Sequence, residues 1–202
     1  MLCVPLCIFC DQISISGTMY MSDRDLGRKM MEEEHLLQFL EAYAKVTGIA
    51  MSVVDNRGES PDFICARPTG EHVGVELARS PHDYDGAVWD SIWTDQTMSA
   101  YDLLDAVHTI IKDKEHKRHS AHWRTPDSTI LIIELLDYKF DSLAWTGQSS
   151  FYGDYADTGF LEIWLADYST LEPYGEVRLI GLHPSEFWGL HHQPALKGKP
   201  YG

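Results

Sequence analysis

Asp62 and Glu76 each stand in an otherwise apolar run: Pro61-Asp62-Phe63-Ile64-Cys65-Ala66 and Val73-Gly74-Val75-Glu76-Leu77-Ala78. A carboxylate in such a run is costly to bury unless it is paired or bound to a metal. Two of them on neighbouring strands suggest a site for a hard divalent cation, Mg²⁺ or Mn²⁺, which takes carboxylate and carbonyl oxygens. An ion held there could bind a phosphate, activate water and stabilise a leaving oxygen. A third carboxylate is expected from the preceding helix, Glu41 before Glu34, which lie on one helical face about two turns apart.

These side chains need a scaffold, and the pattern supplies one. Ser22 and Asp23 suit a helix cap. Leu36, Leu37, Leu40, Tyr43 and Ala44 recur at helical spacing, which predicts an amphipathic helix over 30–46 stopped by Gly48. Strands are expected over 49–54, 61–66 and 72–79, separated by the turns Asp55-Asn56-Arg57-Gly58 and Pro68-Thr69-Gly70. In the third strand Val73, Val75 and Leu77 share one side, and Gly74, Glu76 and Ala78 the other. A polar, aromatic loop over 80–95 is long enough to suggest a functional or partner-facing segment. A second helix follows over 95–119, with Ala100, Leu103, Leu104, Val107, Ile110 and Ile111 on its buried face. The continuous apolar run 129–136 predicts a strand covered on both sides. Two further strands, 160–166 and 177–182, extend the sheet, and the tail after His183 wraps around it. The expected fold is therefore mixed α/β, a central mixed sheet flanked by helices with C-terminal β additions. Residues 1–21 are expected to be a loosely ordered leader. Residues 22–202 form a single domain, with its core in 30–136 and an extension in 137–202.

Pro61-Asp62, then Glu76-Leu77-Ala78 on the next strand, with a helical glutamate before them and the order α-β-β-β-α-β, resemble the PD-(D/E)xK nuclease superfamily. The resemblance covers about 30–136 and implies a restriction-endonuclease-like fold. It implies that Asp62 and Glu76 bind Mg²⁺, that the Leu77 carbonyl is a further ligand, and that a lysine two residues after the second acid positions or activates the water. This chain has Ala78 there. Arg79 points to the other face of the strand. Gln96, Lys112 or Lys114 could serve only if the second helix passes over the site. The resemblance thus leaves a Mg-dependent nuclease hydrolysing phosphodiester bonds, or a catalytically inactive nuclease-fold protein acting as an interaction or regulatory module.

The chain has 202 residues and a formal net charge of −15, which opposes loose attraction to nucleic acid or anionic lipid. The exception is the basic stretch 112–124. Lys112, Lys114, Lys117 and Arg118 are the candidate phosphate contacts for a nucleic acid, or they are a solvated helix end. His116, His119 and His122 recur in the same stretch without a cysteine pair or other zinc signature. Trp89, Trp93, Tyr152 and Tyr155 suit an interface with a protein partner or a second copy, and equally a place in the core. No apolar run reaches the roughly 20 residues that span a membrane. Cys3, Cys7 and Cys10 have the spacing of an iron–sulfur loop but precede any strand that could present it. With Cys65 alone elsewhere, no disulfide framework is indicated, and a reducing cytoplasm is the expected compartment.

Overall fold

The computed structural model describes residues 23–56, 60–79, 100–119, 123–125, 127–136, 155–171, 175–188 and 190–192. Helix α1 (Asp23–Thr47) is one continuous helix, longer at its start than the periodicity predicts. Leu36, Phe39, Leu40 and Tyr43 recur every three or four residues along it and are buried. Gly48 ends it with a φ of 75°, a left-handed conformation open to glycine at little cost.

Strands β1 (Ser52–Asp55), β2 (Phe63–Ala66) and β3 (His72–Arg79) form an antiparallel meander. Helix α2 (Ala100–Arg118) then crosses to β4 (Thr129–Leu135), which lies parallel to β3, and β5 (Glu162–Asp167) lies parallel to β4. β6 (Arg178–His183) and the short β7 (His191–His192) complete the sheet in antiparallel fashion. The result is a mixed α+β fold with a seven-stranded sheet in sequence order. β7 comes from the tail after His183, which pairs as a strand where the sequence pattern predicts an extension wrapped around the sheet. β1 starts later than expected because the Ile49 amide donates to Thr47 Oγ1 at 3.1 Å, so this residue closes the helix-to-strand turn.

The two faces of the sheet bury different layers. Leu36, Phe39 and Tyr43 of α1 pack with Val73, Val75, Leu77, Ile130, Ile132 and Trp164. Val107, Ile110 and Ile111 of α2 pack with Ala78, Leu131, Ile133, Ile163 and Leu165 on the other side. The alternation along β3 thus splits as its sequence predicts. β4 is buried at every position, as its apolar run requires. Of the aromatics read as interface or core, Tyr155 is a core residue, buried with its ring 5.7 Å from that of His108. Trp89, Trp93, Tyr152, the leader 1–21 with Cys3, Cys7 and Cys10, the loop 80–95 and Gln96 lie outside the described residues. Among the described residues no helix is long and apolar enough to cross a membrane.

Candidate functional site

The β2–β3 register places Phe63 opposite Val75 and so carries Asp62 to Glu76. The two acids are tied reciprocally through the backbone. The Asp62 amide donates to Glu76 Oε2 at 3.3 Å, and the Leu77 amide donates to Asp62 Oδ2 at 2.9 Å. The bend that presents Asp62 is pinned from two directions. The Arg124 amide donates to Ser60 O at 3.1 Å, and its guanidinium reaches Pro61 O at 3.4 Å and Asp55 Oδ2 at 2.9 Å. Beneath the bend Gly74 leaves room for the ring of Pro61; a Cβ on Gly74 would lie 2.7 Å from Pro61 Cγ.

Two helices bring ammonium groups to this acid pair from opposite sides of the sheet. Lys114 of α2 places Nζ 2.5 Å from Glu76 Oε1 and 3.3 Å from the Leu77 carbonyl oxygen. Lys29 of α1 lies 3.8 Å from Asp62 Oδ1 and 3.3 Å from Glu32 Oε2. Burial pushes the Glu76 carboxyl up to about 7, with repulsion from Asp62 adding to it, while Lys114 pulls the other way. Burial also raises Asp62, against the Leu77 amide and the lysines, and the charge of Glu32 contributes to the rise.

The helical carboxylate at the site is therefore Glu32, which is buried. Glu41, the residue expected there, lies more than two turns further along α1. Its side chain is 72% exposed and ion-paired with Lys45 at 3.0 Å. The expectation failed because helical phase alone does not show which turn of α1 reaches the acids. Glu32 lies inside the helix expected over 30–46, and Lys29 one residue before it, in the segment that Ser22 and Asp23 are expected to cap.

Of the expected phosphate contacts, Lys112 and Lys117 are exposed, and Lys114 is committed to Glu76. Arg118 is unsuited to the role. It is buried, Glu115 accepts from its Nε at 3.1 Å and its Nη2 at 3.2 Å, and its guanidinium lies 5.9 Å from the centre of the Phe160 ring. His119 pairs with Glu115 Oε1 at 2.9 Å, and His122 lies outside the described residues.

A second polar cluster stands at the carboxyl ends of the parallel strands, where ligands of open α/β sheets commonly bind. Glu134, fully buried at the end of β4, lies 2.8 Å from His35 Nδ1 and accepts from Arg79 Nε at 3.3 Å. Tyr168 donates to the His35 carbonyl at 2.8 Å, and its ring stacks on the His35 ring at 4.5 Å. Burial raises the Tyr168 hydroxyl, helped by the Glu134 charge. The opposite end of the sheet carries a closed network. Glu162 accepts from Arg67 at 2.6 Å, Trp164 at 2.8 Å and Tyr43 at 3.1 Å. Glu134 and Glu162 carried the same signal as Glu76, an acid within or beside an apolar strand run.

Asp62, Glu76 and the Leu77 carbonyl offer hard oxygens of the kind Mg²⁺ or Mn²⁺ takes. Two of them already converge on one cationic group, the Lys114 ammonium, so the donor set fits such an ion. Among the described residues no three His, Cys, Asp or Glu side chains group as a metal-ligand set; the donors here are two carboxylates and a backbone carbonyl. No protein-family model, curated protein or solved structure matches the chain, and the functional reading rests on this geometry.

Proposed function

We propose that the chain is a divergent member of the PD-(D/E)xK superfamily with a restriction-endonuclease-like fold, and that it hydrolyses phosphodiester bonds with Mg²⁺ or Mn²⁺. The observation that carries this reading is Lys114, whose Nζ lies 2.5 Å from Glu76 and 3.3 Å from the Leu77 carbonyl. The ammonium missing at Ala78 is thereby supplied from the second helix. Asp62, Glu76 and the Leu77 carbonyl hold the ion, which when bound supplies Lewis-acid stabilisation of the phosphoryl oxygens. Glu32 takes the place of the helical glutamate. Lys114, with three donor hydrogens on a flexible stem, orients the attacking water and adds positive charge beside the phosphate. Lys112 and Lys117, exposed on the same helix, are placed to contact flanking phosphates of a nucleic acid.

Purified chain with Mg²⁺ or Mn²⁺ should nick DNA or RNA, and Asp62→Ala should abolish this. Lys114→Met should lower the rate by roughly 100-fold or more while calorimetry still detects Mn²⁺ binding. A wild-type protein that binds neither ion sinks the reading.

A catalytically inactive interaction module is the second reading, favoured by the net charge of −15 and by an apolar stripe on α1. Leu26, Met30 and Leu37 are 52%, 64% and 54% exposed and fall within an arc of about 40° of the helix. Metal binding without cleavage of any nucleic acid would select this alternative.

A further inference from the structure

We propose that Lys29 is a built-in counter-cation of the acid cluster, and that a divalent ion enters by displacing its ammonium from Asp62 and Glu32; this rests on the metal reading above. Asp62 Oδ2 is occupied by the Leu77 amide, which leaves Oδ1 as the oxygen that faces a cation, and Lys29 Nζ lies 3.8 Å from it. The same ammonium lies 3.3 Å from Glu32 Oε2, an oxygen that is fully buried yet receives no aligned hydrogen bond. A buried carboxylate oxygen left in that state is poorly satisfied. Directional N–H donors on one nitrogen do not serve both acids well from these distances. A metal ion, whose attraction has no donor direction, is not limited in this way.

Charge balance points the same way. Glu32, Asp62 and Glu76 face Lys29, Lys114 and Arg28, whose Nη1 lies 3.4 Å from Glu32 Oε1, so three acids already meet three cations. Adding a divalent ion with both ammoniums in place would leave a buried excess of positive charge, which is costly in a partly desolvated site. Among the described residues Arg28 reaches only Glu32; of the two ammoniums on Asp62 and Glu76, Lys29 is the one able to leave. Its side chain is 24% exposed and its Nζ lies 3.8 Å from Asp62 Oδ1 and 3.3 Å from Glu32 Oε2, whereas Lys114 is held 2.5 Å from Glu76. Lys29 is thus a positioning residue: without the ion it holds Asp62 and Glu32 together, and with the ion it competes.

The test uses the full chain stripped with EDTA and titrated with Mn²⁺ by calorimetry, with thermal melting in parallel. Lys29→Met should bind Mn²⁺ about tenfold more tightly than wild type, the direction expected on removing a nearby like charge, and Lys29→Arg should bind as wild type does. In EDTA the Lys29→Met protein should melt below wild type, and saturating Mn²⁺ should close the gap. A residue that merely supports the fold would weaken Mn²⁺ binding when removed and leave the gap open. Lys29→Gln gives the same comparison if Lys29→Met does not fold. Equal or weaker Mn²⁺ binding by these neutral variants, in a wild-type protein that does bind Mn²⁺, overturns the inference alone. Absence of Mn²⁺ binding by wild type overturns the metal reading and the inference together.

Discussion

Glu76 sits 2.5 Å from a lysine ammonium, yet its carboxyl is pushed up to about 7 because burial and Asp62 outweigh that pairing. In the unfolded chain it would titrate near the ordinary glutamate value, so the folded state binds the proton more tightly. Ionising Glu76 therefore costs stability, and the loss accumulates as pH rises from the ordinary glutamate range to about 7. The full swing is on the order of 3 kcal/mol, from the difference between the two pKa values. The melting temperature of Glu76→Gln minus that of wild type, measured in EDTA, should accordingly increase between pH 5 and pH 8. A flat difference would show that Lys114 neutralises Glu76 completely. Asp62 and Glu76 were legible as a pair in the sequence because each interrupts an apolar run. Glu134 interrupts one as well, and its partners His35 and Arg79 come from distant elements that no local pattern connects to it.

At the scale of elements, α1 divides along its length. Its later turns bury Leu36, Phe39, Leu40 and Tyr43 against the sheet, while its earlier turns bring Lys29, Glu32 and His35 to the acids at the strand ends. Helical periodicity identified the apolar half, since that half carries a repeat. The earlier half carries no buried repeat, its Leu26 and Met30 being exposed, so its role emerged only from what it packs against. The β2–β3 hairpin depends on Gly74 in a different way. A Cβ there would lie 2.7 Å from Pro61 Cγ and 3.0 Å from Thr129 Oγ1, and closer still to Thr125. Gly74→Ala should therefore destabilise the fold by about 1–3 kcal/mol in urea unfolding, the usual range for overpacking. Because Pro61 would be pushed away, the same substitution should weaken Mn²⁺ binding at Asp62. Unchanged affinity with lowered stability would show that the bend is held by Arg124 alone.

At the scale of the whole molecule, the strands after residue 136 belong to the same sheet as those before it. Trp164 of β5 is fully buried, with its ring centre 5.5 Å from that of Tyr43 and 5.1 Å from that of Phe187. Its indole N–H is one of the donors to Glu162. Trp164→Ala should cost about 3–5 kcal/mol, as for other large-to-small core substitutions, and lower the urea midpoint accordingly. A cost below 1 kcal/mol would mean that the C-terminal strands fold as an appendage. The strongly acidic overall charge also bears on function at this scale. Any polyanion must be met locally, at the α2 face that carries Lys112 and Lys117, against the repulsion of the rest of the surface.

The sequence by itself determined the mixed sheet with its flanking helices, the alternation along β3 and the pairing of Asp62 with Glu76. Each of these follows from a local repeat or from the conflict between a charge and its apolar neighbours. Only the tertiary structure decided which helical residues complete the site. Lys114 lies 38 residues from Glu76, and Lys29 and Glu32 precede Asp62 by most of a helix and a strand. Their arrival depends on how two helices cross a sheet. A conformation-dependent distance of that kind leaves no mark in spacing, and so nothing in the sequence around Ala78 shows that the fold brings Lys114 to Glu76.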